Sequence, residues 1–146
     1  MISFEQSIWI NRTQQEVFDY ISDPAKDPDW RESGVSAEWI SDPPQGVGST
    51  YSSVDKLMGR KIEGTREITV WEPPNRWGQK GQGGPMTFEF TATFEAQDNG
   101  TKIAFSVKAQ SGGLFQIAEN LFGKQMEKQL STDIAGLKRV MEGGTK

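Results

Sequence analysis

Residues 103–142 read IAFSVKAQSGGLFQIAENLFGKQMEKQLSTDIAGLKRVME, and two periodicities meet inside them. Before Gly112-Gly113, the apolar residues Ile103, Phe105 and Val107 alternate with small or polar ones, as in a half-buried strand. After it, Leu114, Ile117, Ala118, Leu121, Phe122, Met126, Leu130, Ile134, Leu137 and Met141 recur at three- and four-residue steps. The spacing predicts one helix from about Leu114 to Glu142, ~40 Å long at 1.5 Å per residue. Lys138 and Arg139 complement its negative end, and Gly143-Gly144 suits a C-cap. Leu130, at mid-stripe, is expected in the core.

Upstream, the period is two. Phe88, Phe90, Ala92 and Phe94 alternate with Thr87, Glu89, Thr91 and Thr93, and Asn99-Gly100 reads as the hairpin turn into the Ile103 strand. Tyr51–Leu57 and Arg60–Trp71 read as a hairpin turning near Met58-Gly59, with Ile62, Ile68 and Val70 on one face. Pro73-Pro74-Asn75 marks a further turn, and Val35–Ile40 a further strand. At the N-terminus, Ile2, Phe4, Ile8 and Ile10 share a face opposite Ser3, Glu5, Ser7 and Trp9. Thr13-Gln14-Gln15-Glu16 then forms a capping box for a short helix through Val17, Phe18, Tyr20 and Ile21, ended by Asp23-Pro24. Asp23–Arg31 suits a second short helix or a tight turn carrying Trp30.

Neither a long apolar helix nor a single sheet buries its face alone. The economical packing curves the sheet around the helix.

The chain has 146 residues, a hydrophobic fraction of 34%, 8 Phe and 5 Trp, so large rings are available to wall a cavity as well as fill a core. Its net charge of −4, without a dense Lys/Arg run, argues against nucleic acid. There is no cysteine and no histidine. Disulfides, thiolate nucleophiles, Ser-His pairs and HExxH metal helices are therefore excluded. Met1–Gln6 lacks a secretory pattern and no apolar run approaches a membrane span, so a cytoplasmic protein without stable membrane insertion is expected. Asn11-Arg12-Thr13 and Asn99-Gly100-Thr101 match the glycosylation sequon and are read as structural for that reason.

The order strand, two short helices, six strands and long helix resembles the START-like, or helix-grip, superfamily, and within it the bacterial polyketide cyclase/dehydrase-type branch. The residues that carry the resemblance are Ile8–Asp23 (IWINRTQQEVFDYISD), Pro28-Asp29-Trp30, Gly46–Tyr51 (GVGSTY), Trp71–Arg76 (WEPPNR), Asn99-Gly100-Thr101 and Gly136–Glu142 (GLKRVME). It implies an α+β helix-grip fold: a seven-stranded curved antiparallel sheet around a long C-terminal helix, with two short helices after the first strand. Residues 1–146 are then a single START-like ligand-binding domain without a cofactor. Its partner is a small apolar or aromatic ligand (a polyketide, lipid or aromatic metabolite) held in an internal cavity by a carrier or sensor. The alternatives are a cyclase or dehydratase working by Asp, Tyr and Arg acid-base chemistry, and a ligand-free interaction scaffold. The resemblance supplies no catalytic set and no oligomeric state.

The candidate ligand-binding residues are Trp30, Tyr51, Asp55, Arg66, Trp77, Phe88, Leu121 and Gln125. Arg60 and Arg66 are in phase with Ile62 and Ile68, so either can point inward, and Tyr51, Ser53 and Asp55 share a face. An inward Arg beside Asp55 would orient a carboxylate, phenolate or enolate, whereas a strand-end Arg would reach out to water. Trp30, Tyr51, Trp77 and Phe88 serve equally as a cavity wall or as core. Trp9 and Trp71 are out of phase with their strands' apolar faces, which places them on the exposed side or in an interface. Asp23, Asp27 and Asp29 form a small carboxylate cluster that lacks the Gly and distal Glu of a calcium loop, and no metal is expected. Gly81-Gln82-Gly83-Gly84 lacks the Lys-Ser/Thr of a phosphate loop and reads as a mobile hairpin tip.

Overall fold

Strand β1 (Ile2–Ile10) pairs antiparallel with the last strand of the sheet, so the two ends of the sheet sequence are neighbours in space. The structure, a computed structural model, describes residues 2–57, 59–83, 86–111 and 119–144. After β1 come α1 (Gln14–Ile21), a single 3-10 turn (Pro24–Lys26) and α2 (Asp27–Trp30). Six strands follow: β2 (Gly34–Trp39), β3 (Thr50–Leu57), β4 (Arg60–Glu72), β5 (Arg76–Gly83), β6 (Met86–Gln97) and β7 (Gly100–Ser111). Helix α3 (Glu119–Met141) closes the chain. The seven strands form one antiparallel sheet in the order β1-β7-β6-β5-β4-β3-β2.

Local chemistry sets the early elements. Thr13 caps α1 by accepting from Glu16 N at 3.2 Å, and its hydroxyl donates to the Glu16 carboxylate at 3.0 Å. Asp23 starts the 3-10 turn by accepting from Ala25 N at 3.0 Å. The β6–β7 turn lies one residue earlier than the Asn-Gly signal suggests. Asp98 and Asn99 are its central residues, at φ 50° and 63°, and Gly100 begins β7. Asp and Asn tolerate this left-handed conformation. Gly100 is needed for a different reason: a Cβ there would stand 2.5 Å from Ile10 O and 2.6 Å from the Trp9 ring.

The core joins the sheet's inner face to α1, α2 and α3. It contains Ile10, Val17, Phe18, Ile21, Trp30, Tyr51, Ile68, Trp77, Ala92, Phe94, Ile103, Phe105, Ile134 and Leu137. Helix α3 packs on β1 and α2, where Gln6 donates to Glu127 O at 2.8 Å and accepts from Ser131 Oγ at 2.9 Å. Its expected start at Leu114, and the Gly112-Gly113 break, lie outside the described residues, as do Met58 and Gly84.

Several expectations change. Leu130 is half-buried and packs against the core rather than within it. Gly81, Gln82 and Gly83 belong to β5, paired with Phe88, Thr87 and Met86 of β6, while Gly84 lies outside the described residues. The register of β4 shifts between Ile68 and Val70, where β5 opposes them with the consecutive residues Gln79 and Gly78. The extra residue reverses the strand's phase. Val70 therefore leaves the face of Ile62 and Ile68, and Trp71 turns inward to meet Phe18 edge-on, ring centres 5.5 Å apart. Trp9 stays on the outer side but is half-buried. Its indole donates to Gln97 O at 2.7 Å, and Lys138 Nζ lies 5.0 Å from its ring.

Among the described residues, no helix is long and apolar enough to cross a membrane.

Candidate functional site

Between the inner face of the sheet and α2–α3 lies a cavity of about 180 Å³. Its apolar wall comes from Phe4, Ile21, Trp30, Ile62, Trp77, Met86, Phe88, Phe90, Val107, Met126 and Leu130. At one side stand Asp27, Arg31, Ser33, Asp55, Arg66, Gln79, Gln129 and Asp133.

Strand register places the charged residues. The bulge in β4 falls after Arg66, so Arg66 keeps the inward phase of Ile62 and Ile68, while Arg60 is exposed at the strand start. Arg66 Nη2 reaches Asp55 Oδ2 at 2.5 Å, its Nε donates to Ser53 Oγ at 3.0 Å, and its guanidinium lies 4.3 Å from the Phe88 ring centre. Asp55 also meets Arg31, whose Nη2 is 3.2 Å from Oδ1. Arg31 continues the network to Asp27 at 3.4 Å and Asp133 at 3.7 Å. Ser33 joins by donating its hydroxyl to Asp133 at 2.8 Å, and Gln129 donates to the same carboxylate at 3.1 Å. The network thus ties α2, β3, β4 and α3 together.

Three carboxylates face two guanidiniums, so the fully ionised cluster carries one excess negative charge. Burial pushes the Asp27 carboxyl up to about 6, against the opposing pull of Arg31 and Arg66. Burial works against the charge on Arg31, but Asp55, Asp27 and Asp133 outweigh it and hold its pKa above the usual value. The Tyr51 phenol is raised by burial first and by Asp27 next. It donates a short hydrogen bond to Gln79 Oε1.

Of the expected ligand-binding residues, the structure brings Trp30, Asp55, Arg66, Trp77 and Phe88 together around the cavity. Tyr51 is buried just behind it, edge-on to Trp39 and bonded to the lining residue Gln79. Leu121 and Gln125 are placed elsewhere. Leu121 is 60% exposed and Gln125 is half-buried off the cavity wall, while Met126, Gln129, Leu130 and Asp133 of α3 line it. The three aspartates of the expected carboxylate cluster separate: Asp23 caps a turn, Asp29 lies off the cavity wall, and only Asp27 faces the cavity. No group of three metal-ligating side chains occurs among the described residues.

Arg31, Ser33, Gln79, Gln129 and Asp133 are site residues that the sequence pattern does not single out. Two signals do point to two of them. Asp27 and Arg31 are four residues apart, the spacing of a helical ion pair. Asp133 interrupts the apolar stripe one step before Ile134, where a carboxylate needs a buried partner.

Two buried polar side-chain atoms among the described residues have no partner. The indole nitrogens of Trp30 and Trp77 are unbonded, and both side chains line the cavity. An unsatisfied buried donor costs about 1–3 kcal/mol. Trp30 is held tightly from behind: a Cβ at Gly136 would stand 2.6 Å from its carbonyl oxygen, so α2 and α3 touch backbone to backbone.

The family model described as polyketide cyclase / dehydrase and lipid transport matches residues 1–142. Among solved structures, a START superfamily protein from Mycobacterium smegmatis is similar with a TM-score of 0.85 at 10% identity, covering 97% of this chain and 98% of that one. The protein TTHA0849 from Thermus thermophilus gives 0.81 at 18% identity, over 95% and 96%. A conserved protein from Geobacillus kaustophilus gives 0.78 at 18%, over 100% and 98%. At these identities the likeness is one of fold. No curated protein matches the sequence.

Proposed function

The chain belongs to the polyketide cyclase/dehydrase and lipid transport family, and we propose that it binds a small, mainly apolar aromatic ligand in its cavity, as a carrier or sensor. The observation that carries this reading is the cavity itself: a wall of Trp, Phe, Met and aliphatic side chains around about 180 Å³ of space. An apolar cavity of about 150 Å³ suffices to take up benzene. The space present therefore suits a ligand of one ring with short substituents. It also weakens the scaffold reading, which a cavity filled with side chains would have favoured.

Catalysis is the second reading, and Asp27 favours it. The Asp55–Arg66 pair and Tyr51 are poor acid-base groups here, since Asp55 is covered by two guanidiniums and the raised Tyr51 phenol already donates to Gln79. Asp27 faces the cavity with a carboxyl pushed up to about 6, within the range useful to a general acid or base near neutral pH.

Native mass spectrometry of freshly purified protein, followed by identification of any co-purifying small molecule, tests the binding reading. A bound apolar or aromatic compound is expected. Protein that arrives empty, and whose tryptophan fluorescence ignores a panel of single-ring compounds, overturns it. Turnover of a released ligand that Asp27→Asn abolishes, with binding intact, would establish the catalytic reading instead.

A further inference from the structure

We infer that the side-chain amide of Gln79, oriented by Tyr51, presents a hydrogen-bond donor to the cavity and selects a neutral aromatic ligand with an acceptor oxygen, such as an aryl ketone or ester. The inference rests on the cavity-binding reading and narrows it from apolar ligands in general to one chemical class.

Gln79 is an amide on an apolar face. It lies between Ile68 of β4 and Phe90 of β6, lines the cavity and is only 7% exposed. Its oxygen is taken, because the Tyr51 phenol donates to Oε1. Burial raises the Tyr51 pKa, so the phenol keeps its proton; with the amide reversed, that proton would have no acceptor among the described residues. The amide nitrogen is thus the end turned away from Tyr51. Nε2 has no hydrogen-bond partner among the described residues, yet it is not sealed in: there, the buried unpartnered side-chain atoms closed off from open space are the indole nitrogens of Trp30 and Trp77. Nε2 therefore touches open space, and the space that Gln79 lines is the cavity. Packing alone does not call for this pair, since replacing both partners of a buried hydrogen bond by apolar groups of the same shape is nearly neutral in energy.

The occupant's charge follows from the rest of the lining. Arg66 is engaged with Asp55 and Ser53, Arg31 with Asp27, Asp55 and Asp133, and Gln129 with Asp133. The three carboxylates against two guanidiniums leave one negative charge in excess when all are ionised. An anion entering the cavity would lose hydration and meet net repulsion. A cation would gain from the cluster but brings no lone pair to an N–H donor. A neutral acceptor oxygen answers both constraints.

Acetophenone and ethylbenzene test this, since they differ by a carbonyl in place of a methylene; benzoate supplies the anionic arm. Affinities are measured calorimetrically at pH 7.5 for the unaltered protein and for the double variant Tyr51→Phe, Gln79→Met, which removes the donor without stranding the phenol. The variant should weaken acetophenone relative to ethylbenzene by about 3- to 10-fold, the range of one net hydrogen bond. Benzoate should bind more weakly than acetophenone to the unaltered protein. A second measurement does not depend on the variant folding well: in 1H–15N spectra of the unaltered protein, one of the two Gln79 side-chain amide protons should move downfield with acetophenone and not with ethylbenzene. If acetophenone and ethylbenzene lose affinity equally and the Gln79 amide responds alike to both, Gln79 serves only Tyr51, and the inference is overturned while cavity binding stands. Benzoate binding more tightly than acetophenone overturns it too. If no probe binds at all, the cavity-binding reading itself fails, and the Gln79 subsite with it.

Discussion

Arg66 on β4 and Asp55 on β3 meet at 2.5 Å on the inner face of the sheet, out of direct register, and Arg31 reaches the same carboxylate from the end of α2. One carboxylate therefore holds two largely buried guanidiniums. Removing it should cost far more than breaking a surface pair. For Asp55→Asn we expect a loss of about 3–5 kcal/mol, the usual result of stranding a buried charge, and nearer the lower figure because Arg31 keeps Asp27 and Asp133. Lys80→Gln, which breaks the exposed pair with Glu67, should cost less than about 1 kcal/mol. Urea denaturation of both variants measures the contrast, and equal losses would mean the cluster is energetically ordinary.

Asp27 makes a contribution to stability with an unusual sign. Its folded-state pKa of about 6 lies above the reference 3.8, so the folded chain holds the proton more tightly than the unfolded one. This contribution is fully present below about pH 4 and is lost as pH rises through about 6. Asp27→Asn cannot titrate. The unaltered protein should therefore lose stability relative to this variant between about pH 4 and 6, by up to roughly 2–3 kcal/mol for a pKa raised that far. Urea midpoints at several pH values, compared pairwise, check the slope; a flat difference would place Asp27 in contact with water.

Leu137 and Leu130 sit on the same helix stripe but face different surroundings. Leu137 is fully buried in the core, while Leu130 borders the cavity. Leu137→Ala should cost about 2–5 kcal/mol. Leu130→Ala should cost less than about 2 kcal/mol and enlarge the ligand space, shifting preference towards bulkier substituents. Thermal unfolding and binding of a homologous alkylbenzene series measure the two effects separately.

Trp71 is expected to behave as a core residue despite its polar-side phase in the sequence. Its ring meets Phe18 at 85°, an edge-on aromatic pair. Trp71→Ala should destabilise by about 3 kcal/mol, the low end for a large aromatic because the side chain is half-buried. A loss under about 0.5 kcal/mol, as at ordinary surface positions, would show that the bulge does not turn it inward.

The same bulge marks where the sequence stops being legible. The alternations of β1, β6 and β7 and the stripe on α3 follow directly from burial on one side, which is why the fold can be read from them. An inserted residue in β4 changes no composition and leaves no turn signal, so Val70 and Trp71 exchange faces silently. Within the site, Arg66, Asp55, Trp30, Trp77 and Phe88 are accessible because their strand phase or aromatic size announces them. Ser33, Gln79 and Gln129 are not, since partners far away in the chain are set by how α2, α3 and β5 pack. Leu121 belongs to the apolar stripe of α3 yet is exposed, because periodicity alone does not say which end of a stripe is covered.

The contact between Gly136 and the Trp30 carbonyl joins two helices with no side chain in between. Elsewhere in a core, a small displacement is absorbed as neighbouring side chains shift within or between rotamers. At this joint there is no such cushion. Movement of α3 passes undamped to the backbone that carries Trp30, and any occupant that presses on the indole pushes back on the same helix. The outer side of α3, bearing Lys128 and Arg139 in solvent, is thus held in position by the same joint that seats Trp30.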